Sequence, residues 1–246
     1  MKKFYTFLLL ALCAGGMAAQ QESGGLSGQS GQDGVEAVPF NPKWAVGVGL
    51  SANFNFHDGG TAFMKDVEYN PFMGAGFSIN ATYRLYKWLA FRTGAIIMMK
   101  NYQWSNTVVI NENSVTLTTL NLNNYVNFPV MADLSIGKKV RWHLFLGAYA
   151  GYWSRGHRLG VAIPLIVVDE AIVDEEYAFD SRRDNRFDAG LVYGIGMSIP
   201  CSKRIEIDIE ALTHYGLTDV QKKYMRQQNA RYNTTTMLQL GVAYNF

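Results

Sequence analysis

Apolar and polar residues alternate along most of this chain, from Trp44 to Phe246. The pattern is clearest at the C terminus. There, every second residue from Leu238 to Phe246 is apolar, and the residues between are Gln, Gly, Ala and Asn. A period of two is typical of β-strands with one face in an apolar environment. We therefore predict eight strands, at residues 44–56, 72–86, 88–104, 122–136, 142–153, 187–199, 203–216 and about 233–246.

The connections between these strands alternate in length. Three are short, at residues 86–87, 137–140 and 200–202, and four are long, at residues 57–71, 105–121, 154–186 and 217–232. Outer-membrane barrels have short periplasmic turns and long extracellular loops. An even number of strands places both ends of the barrel in the periplasm. The first connection is then extracellular, and it is long, as this arrangement requires.

One face of the predicted strands is almost wholly apolar, and the other carries Gly, Asn, Arg, Asp and Glu. Aromatic residues of the apolar face are Trp44, Phe56, Phe72, Trp88, Trp142, Tyr193 and Tyr244. An Arg or Lys facing lipid at the bilayer midplane costs about 2–4 kcal/mol, so the polar face must turn inward. We predict an all-β fold, an eight-stranded antiparallel up-and-down transmembrane β-barrel over residues 43–246. A periplasmic β-sandwich is the alternative, but it does not explain Phe246 or the alternating connection lengths.

The N-terminal residues predict export. Residues 1–3 are basic at positions 2 and 3, residues 4–13 are apolar, and residues 15–19 are small, which together indicate a signal peptide over residues 1–19. Cys13 could belong to a lipoprotein signal, but Leu12 precedes it where a small residue is required. Residues 20–42 are rich in Gly, Ser and Gln and predict a flexible periplasmic leader.

Composition excludes several classes of site. After signal removal Cys201 is the only cysteine, so neither an intramolecular disulfide nor a cysteine zinc cluster can form. The formal net charge is +2, which gives no argument for binding nucleic acid. We predict no cofactor, no metal and no catalytic residue.

Three segments carry a likeness to a known family: residues 122–131, LNNYVNFPVM, and residues 89–94 and 145–152. The first resembles a strand of the PorT-like outer-membrane β-barrel proteins of Bacteroidetes, and the other two resemble the strands before and after it in that family. The likeness spans about residues 44–246. It implies a barrel in the outer membrane of a Gram-negative bacterium, with outer-membrane lipids and lipopolysaccharide around it, and it implies no particular biochemical activity.

The last strand resembles the sorting signal of outer-membrane barrels. Its outward row is Leu240, Val242, Tyr244 and Phe246. Such an aromatic-x-Phe ending implies recognition by the barrel-assembly machinery.

An eight-stranded barrel is just wide enough for side chains to fill it, so we expect no open channel. The charged residues predicted to face inward are Arg84, Arg92, Lys100, Asp133, Asp188, Glu206, Asp208 and Glu210. Because buried charges need partners, we interpret them as an internal ion-pair network. Gly194 and Gly196 leave room for long arginine side chains across the lumen. A proton or ion path is the alternative.

Histidines give a second set of candidates. His143 and Asp133 face inward on adjacent strands near a short turn and could pair, with Ser135 as the only nearby hydroxyl. Some eight-stranded barrels are lipid A deacylases or acyltransferases, but their chemistry lies toward the outer leaflet, so we predict no enzyme here. His57, His157 and His214 lie in or near outer loops without metal-ligand spacing.

The third long connection, residues 154–186, is the unusual one. Residues 161–168 are apolar. The charges that follow are Asp169, Glu170, Asp174, Glu175, Glu176 and Asp180, then Arg182, Arg183 and Arg186. This segment is either an extended hairpin or a surface for a protein partner or a divalent cation beside lipopolysaccharide. The leading hypothesis is a structural or interaction role (scaffold, adhesin or accessory subunit), followed by a lipid-modifying enzyme and then a narrow pore.

Overall fold

A computed structural model describes residues 43–58, 67–110, 113–162, 171–222 and 231–246. The predicted signal peptide, residues 1–19, and leader, residues 20–42, lie outside the described residues. The strands are β1 (Trp44–Asp58), β2 (Val67–Pro71), β3 (Met73–Arg84), β4 (Leu89–Met99), β5 (Tyr102–Ile110), β6 (Asn113–Ile136), β7 (Arg141–Ala162), β8 (Ala171–Glu176), β9 (Phe187–Pro200), β10 (Ile205–Gly216) and β11 (Tyr232–Asn245). Within these ranges no helix is long and apolar enough to cross a membrane.

Eight strands form a closed antiparallel barrel. They are β1, β3, β4, β6, β7, β9, β10 and β11. Two pairings complete the ring: β1 pairs with β11, for example Leu50 opposite Leu240, and β6 pairs with β7. Each of the eight segments with alternating residues contributes one of these strands. The predicted eight-stranded barrel is therefore confirmed.

Three tight turns lie at one end of the barrel, which we call the turn end. They connect β3 to β4, β6 to β7 and β9 to β10. In the second turn Gly137 has φ +121°, in the left-handed region, and a Cβ there would clash with the Val140 carbonyl. Only glycine fits that position without strain.

The opposite end, which we call the loop end, contains strands beyond the eight predicted ones, among them the extended hairpin that was one interpretation of residues 154–186. β5 pairs with the first part of β6, β2 pairs with β5, and β7 continues to Ala162 and pairs with β8. The predicted loops at residues 57–71, 105–121 and 154–186 are thus partly strand, and the third is an extended hairpin over its first part. In these hairpins strand pairing continues after the alternation of apolar and polar residues has ended.

Two irregularities shape the wall near the loop end. The predicted strand 88–104 is interrupted at Lys100 and Asn101, where Asn101 Oδ1 accepts from the Asn123 amide at 3.1 Å and Nδ2 donates to the Met73 carbonyl at 3.1 Å. In β7, Ser154 forms a bulge, and its Oγ donates to the Asn124 carbonyl at 2.9 Å. A bulge shifts the side-chain alternation of its strand by one residue.

The outer surface of the barrel is apolar. The side chains of Leu50, Leu146 and Ile136 are 68, 63 and 73 % exposed. All seven aromatic residues predicted for this face are exposed as well. An outward apolar band with aromatic residues toward its edges is the surface expected of a barrel in lipid.

The lumen differs from the prediction, because it is not polar throughout. Its middle contains a cluster of buried apolar side chains, which we call the apolar layer: Ile96, Met98, Tyr125, Met131, Phe145, Tyr149, Trp153, Val192, Leu212 and Met237. The barrel therefore has an apolar core of its own, inside the wall.

Candidate functional site

The polar residues of the lumen nearest the turn end form an ion-pair group at the mouth. Glu206, on β10, pairs with Arg141 on β7, and its Oε2 lies 3.5 Å from Arg84 Nη2 on β3. Arg84 Nη1 also donates to Asn245 Oδ1 at 2.6 Å. The side chains of this group are partly exposed, so they meet water at the mouth. Arg141 was not among the predicted lumen charges.

A hydrogen-bonded row lies one level deeper. His143 Nδ1 is 2.8 Å from Asp133 Oδ1, and His143 Nε2 is 2.9 Å from Ser198 Oγ. Ser198 Oγ in turn donates to Asp208 Oδ1 at 2.5 Å. The predicted pairing of His143 with Asp133 is present, but the hydroxyl is Ser198 on β9, and the expectation of Ser135 was wrong.

Ser198, His143 and Asp133 have the order of a serine-hydrolase triad, but the proton of the hydroxyl is placed differently. In a hydrolase the serine donates to the histidine. Here the Ser198 hydroxyl donates to the Asp208 carboxylate, so its single proton is not directed at His143. The adjoining cavity has a volume of about 20 Å³, room for about one water molecule. The row therefore ties β6, β7, β9 and β10 together.

Arg92 and Glu210 form the deepest pair on this side. They are bonded across the lumen from β4 to β10 with side chains 7 and 3 % exposed. Glu210 Oε2 also accepts from Gln239 Nε2 at 3.2 Å, and Gln239 Oε1 accepts from Ser78 at 3.0 Å. The Arg92 guanidinium lies 5.3 Å from the centre of the Phe145 ring, where the apolar layer begins.

Lys100 and Asp188 form a separate pair on the loop side. Lys100 Nζ is 2.5 Å from Asp188 Oδ2, and the Lys100 side chain is fully buried. The ammonium also lies over the rings of Tyr125 and Tyr149, at 4.6 and 5.2 Å from their centres. Thr218 Oγ1 donates to Asp188 Oδ1 at 3.1 Å. A buried charge is stable here because it has both an ionic and several polarisable partners.

The structure thus places all eight predicted charges inside the lumen, but in two groups and not in one network. Six lie on the turn side: Arg84, Arg92, Asp133, Glu206, Asp208 and Glu210. Lys100 and Asp188 lie on the loop side. Phe145 and its neighbours in the apolar layer separate the two groups.

The structure places His214 differently from the prediction and His157 as predicted. His214 was expected near an outer loop but is fully buried in β10, with its ring 5.0 Å from that of Tyr149. Neither of its nitrogens has a hydrogen-bond partner among the described residues. His157 is in the β7–β8 hairpin, 2.6 Å from Asp174. The side chain of His57 lies outside the described residues, within which no group of three His, Cys, Asp or Glu could hold a metal.

Residues 177–186 cover part of the loop end, and we call them the cap. Tyr177 and Phe179 pack on Trp153 of the apolar layer, with ring centres 5.1 and 4.8 Å away. Arg186 lies 4.1 Å from the Phe179 ring centre and donates to the carbonyls of Trp153 and Ser154, both at 2.9 Å. The cap therefore continues the apolar layer to the loop end of the barrel.

A buried carboxylate anchors the cap. Asp184 accepts from Tyr177 at 2.9 Å and pairs with Arg183 at 2.9 Å. Burial and this hydrogen bond raise the pKa of Tyr177 to about 12. Burial alone would raise the pKa of Asp184, but the hydrogen bonds from Arg183, the Asp180 amide and Tyr177 outweigh it and lower the pKa. Asp184 is therefore ionised at neutral pH and holds both partners.

The model of the outer membrane protein beta-barrel domain family matches residues 19–222. The chain belongs to this family. It is an integral protein of the outer membrane of a Gram-negative bacterium. No curated protein sequence matches the chain significantly.

Solved structures of other outer-membrane barrels resemble this member of the family in fold. Ail of Yersinia pestis is 14 % identical with a TM-score of 0.42, covering 84 % of this chain and 100 % of its own. OprG of Pseudomonas aeruginosa is 10 % identical with a TM-score of 0.43, covering 83 and 96 %. The protease OmpT of Escherichia coli is 9 % identical with a TM-score of 0.31, covering 86 and 99 %. These likenesses concern the fold alone.

In the third long connection, most of the apolar segment, residues 161–168, lies outside the described residues. Residues 163–170, which include Asp169 and Glu170, lie outside the described residues. Of the remaining charges in that connection, Asp174, Glu175 and Glu176 belong to β8 and are exposed. Arg158 Nη1 lies 3.7 Å from Glu175 Oε1 across the hairpin.

Proposed function

We propose that this barrel is a closed outer-membrane protein with a structural or interaction role, as a scaffold, adhesin or accessory subunit, acting through its loop end. The observation that carries the proposal is the filled lumen. The apolar layer crosses it, and the cavities beside it have volumes of only about 10 and 20 Å³. A barrel without a passage can still act through the surface that it presents.

The surface that we propose for a protein partner is the third connection, residues 154–186. It joins a paired hairpin, β7–β8, to a cap with many internal contacts. The cap is tied to the next connection as well, since Asn185 N donates to the Val220 carbonyl at 3.0 Å and Lys222 N to Arg183 at 2.9 Å. An ordered surface loses less conformational entropy on binding than a mobile one.

We also propose the finer relationship to the PorT-like barrels of Bacteroidetes. Its support is the segment 122–131 in β6. Tyr125 points inward to the loop-side pair, and Pro129 lies where the β4–β6 register is interrupted, with its carbonyl accepting from Thr93 Oγ1 at 2.9 Å. A proline without an N–H is tolerated at such a gap.

The outward row Leu240, Val242, Tyr244 and Phe246 is our candidate for the signal read by the barrel-assembly machinery. These side chains are exposed, and the Phe246 amide donates to the Trp44 carbonyl at 2.9 Å, so the row lies beside the first strand. The proposal includes no enzymatic activity, because the Ser198 hydroxyl is bonded to Asp208 and the space beside it holds about one water molecule.

The orientation can be tested with the native thiol. Cys201 is exposed in the turn between β9 and β10. We expect a membrane-impermeant maleimide to leave it unlabelled in intact cells and to label it once the outer membrane is opened. Arg182→Cys in a Cys201→Ser background, at an exposed cap position, should be labelled in intact cells. Labelling of Cys201 but not of residue 182 in intact cells would reverse the orientation.

The closed lumen predicts poor conductance. Purified protein, inserted in a planar bilayer, should pass no stable current, because the apolar layer and the cap leave no continuous water path. A general porin in the same bilayer shows that insertion can be detected, and heat-modifiability in gels shows that the barrel is folded. Large, stable conductance would contradict the proposal and favour a pore.

A further inference from the structure

The turn end carries a ring of exposed lysines. Lys43 precedes β1, Lys87 lies in the first turn, Lys138 and Lys139 lie in the second, and Lys203 lies in the third. All five side chains are exposed, and Arg204 adds a sixth positive charge beside Lys203. None of the three turns contains an Asp or Glu. We call the five lysines the rim lysines.

Exposed carboxylate side chains distinguish the two ends: among the described residues the loop end has Asp174, Glu175 and Glu176, and the turn end has no exposed Asp or Glu. Among the described residues, no rim lysine forms an ion pair. At the loop end, by contrast, Arg158 is paired with Glu175 and Arg183 with Asp184. The rim is therefore a strongly positive surface on a chain whose formal net charge is only +2.

Aromatic residues fix the depth of the rim. Lys43 is followed by Trp44 and Lys87 by Trp88, while Trp142 lies three residues beyond Lys139. The three tryptophans are 54, 55 and 52 % exposed on the outer face. Interfacial aromatic rings lie at the level of lipid headgroups. The lysines next to them thus lie at the level of the phosphates, which flexible lysine side chains can reach.

We infer that the rim lysines bind the phosphates of anionic phospholipids, such as phosphatidylglycerol, in the periplasmic leaflet. The assignment to the periplasmic leaflet rests on the orientation in the proposed function, whereas the binding of phosphate does not depend on it. Because the tryptophans lie at the level of the lipid headgroups, phosphate is the anion that the neighbouring lysines meet. Each basic residue near an anionic membrane surface adds to the attraction. Because every turn has at least one lysine, these contacts surround the barrel and oppose its tilting in the membrane.

Tryptophan fluorescence can test the inference without a label. The mature protein is refolded in symmetric vesicles that contain phosphatidylcholine and phosphatidylglycerol, one of which is brominated near the headgroup. Bromine quenches nearby tryptophans, and three of the five in the chain lie beside the rim. At low salt we expect the relative binding constant of brominated phosphatidylglycerol to be about fivefold that of brominated phosphatidylcholine. This factor corresponds to the attraction of one basic residue to an anionic surface. High salt should remove the preference.

A matched pair of variants identifies the source of the preference. Lys87→Gln/Lys138→Gln/Lys203→Gln removes one charge from each turn, and Arg155→Gln/Arg182→Gln/Lys222→Gln removes three exposed charges from the loop end. Only the first should lower the preference toward one. Equal quenching by the two lipids in the wild type, an unchanged preference in the first variant, or an equal loss in the second would each overturn the inference.

One further variant separates lipid from the chain itself. Residues 20–42 contain Glu22, Asp33 and Glu36 and no Lys or Arg. If wild-type protein shows no preference and Glu22→Gln/Asp33→Gln/Glu36→Gln gains one, the rim binds the leader and not lipid, which overturns the inference. Because the vesicles are symmetric, the result does not depend on orientation, and the maleimide experiment tests orientation separately.

Discussion

Replacing Arg92 with methionine is expected to lower the free energy of unfolding by about 3–5 kcal/mol, the usual cost of leaving one member of a buried ion pair alone. This change would leave Glu210 without its ionic partner. The Glu210 side chain is 3 % exposed, and among the described residues Gln239 is the one hydrogen-bond donor that it keeps. Methionine retains much of the volume beside Phe145, so the loss reports the charge and not a cavity. The measurement is equilibrium unfolding in urea, with the barrel in lipid vesicles.

The double variant Arg92→Met/Glu210→Gln should recover most of the loss. A neutral glutamine can still bond Gln239, and no uncompensated charge remains. Arg155→Met is the matched control, since Arg155 is exposed at the loop end and its loss should change stability by no more than about 0.5 kcal/mol. Equal stability of the wild type and Arg92→Met would mean that water enters the lumen and solvates Glu210.

Adding one methyl group at Gly147 should destabilise the barrel by about 3 kcal/mol, the upper end of the range for overpacking. Gly147 is opposite Met131 in the β6–β7 pair that completes the ring. A Cβ there would clash with the Val130 carbonyl and lie 2.7 Å from the Met131 Cα. Both are backbone atoms of β6, whose other edge is paired to β4, so neither strand can move away.

Gly241→Ala is the control for this effect. A Cβ at Gly241 would lie 2.9 Å from the Val48 carbonyl oxygen and 3.6 Å from the Gly49 Cα, so one backbone atom must shift, by much less than at Gly147. We expect its cost to stay below about 1 kcal/mol. The folded fraction is measured by heat-modifiability and the free energy by urea titration. Similar costs for Gly147→Ala and Gly241→Ala would show that the close approach of β6 and β7 relaxes freely.

The barrel strands could be predicted because the bilayer acts on every residue of each strand. Lipid on one side and the lumen on the other impose the period of two from Trp44 to Phe56 and again in β11. The same reasoning fails in the first part of β6. Residues 116–119, Thr-Leu-Thr-Thr, do not alternate with a period of two, and β6 nevertheless continues through them because β5 supplies the hydrogen bonds.

The apolar layer was missed for a different reason. Met98, Phe145 and Leu212 each interrupt an otherwise polar face, and a single interruption in one strand has no evident meaning. Their significance depends on register, which brings Leu212 opposite Met237 and Met98 opposite Tyr125. The signal was several interruptions at mid-strand, and only the pairing turns them into one layer.

Ser198 shows the same dependence. Ser135 is directly opposite His143 in the predicted hairpin and was the natural choice, whereas Ser198 lies diagonally across β9, where Arg141 is its direct partner. The register of β7 with β9 is set across a connection of more than thirty residues, 154–186, so the sequence alone does not define it. The charges of the lumen were simpler to identify, because their alternation in each strand already excluded them from lipid.

The apolar layer also divides the polar interior in two. Among the described residues no chain of hydrogen bonds crosses it from the Lys100–Asp188 pair to Arg92 or Glu210, so the layer interrupts any side-chain path for protons between the two groups. The barrel is in this sense modular along its axis. One module holds the chain ends and the tight turns, and the other holds the hairpin and the cap. Surface loops could therefore be exchanged between such barrels by cutting at the layer, and the half that assembles in the membrane would keep its own electrostatic balance.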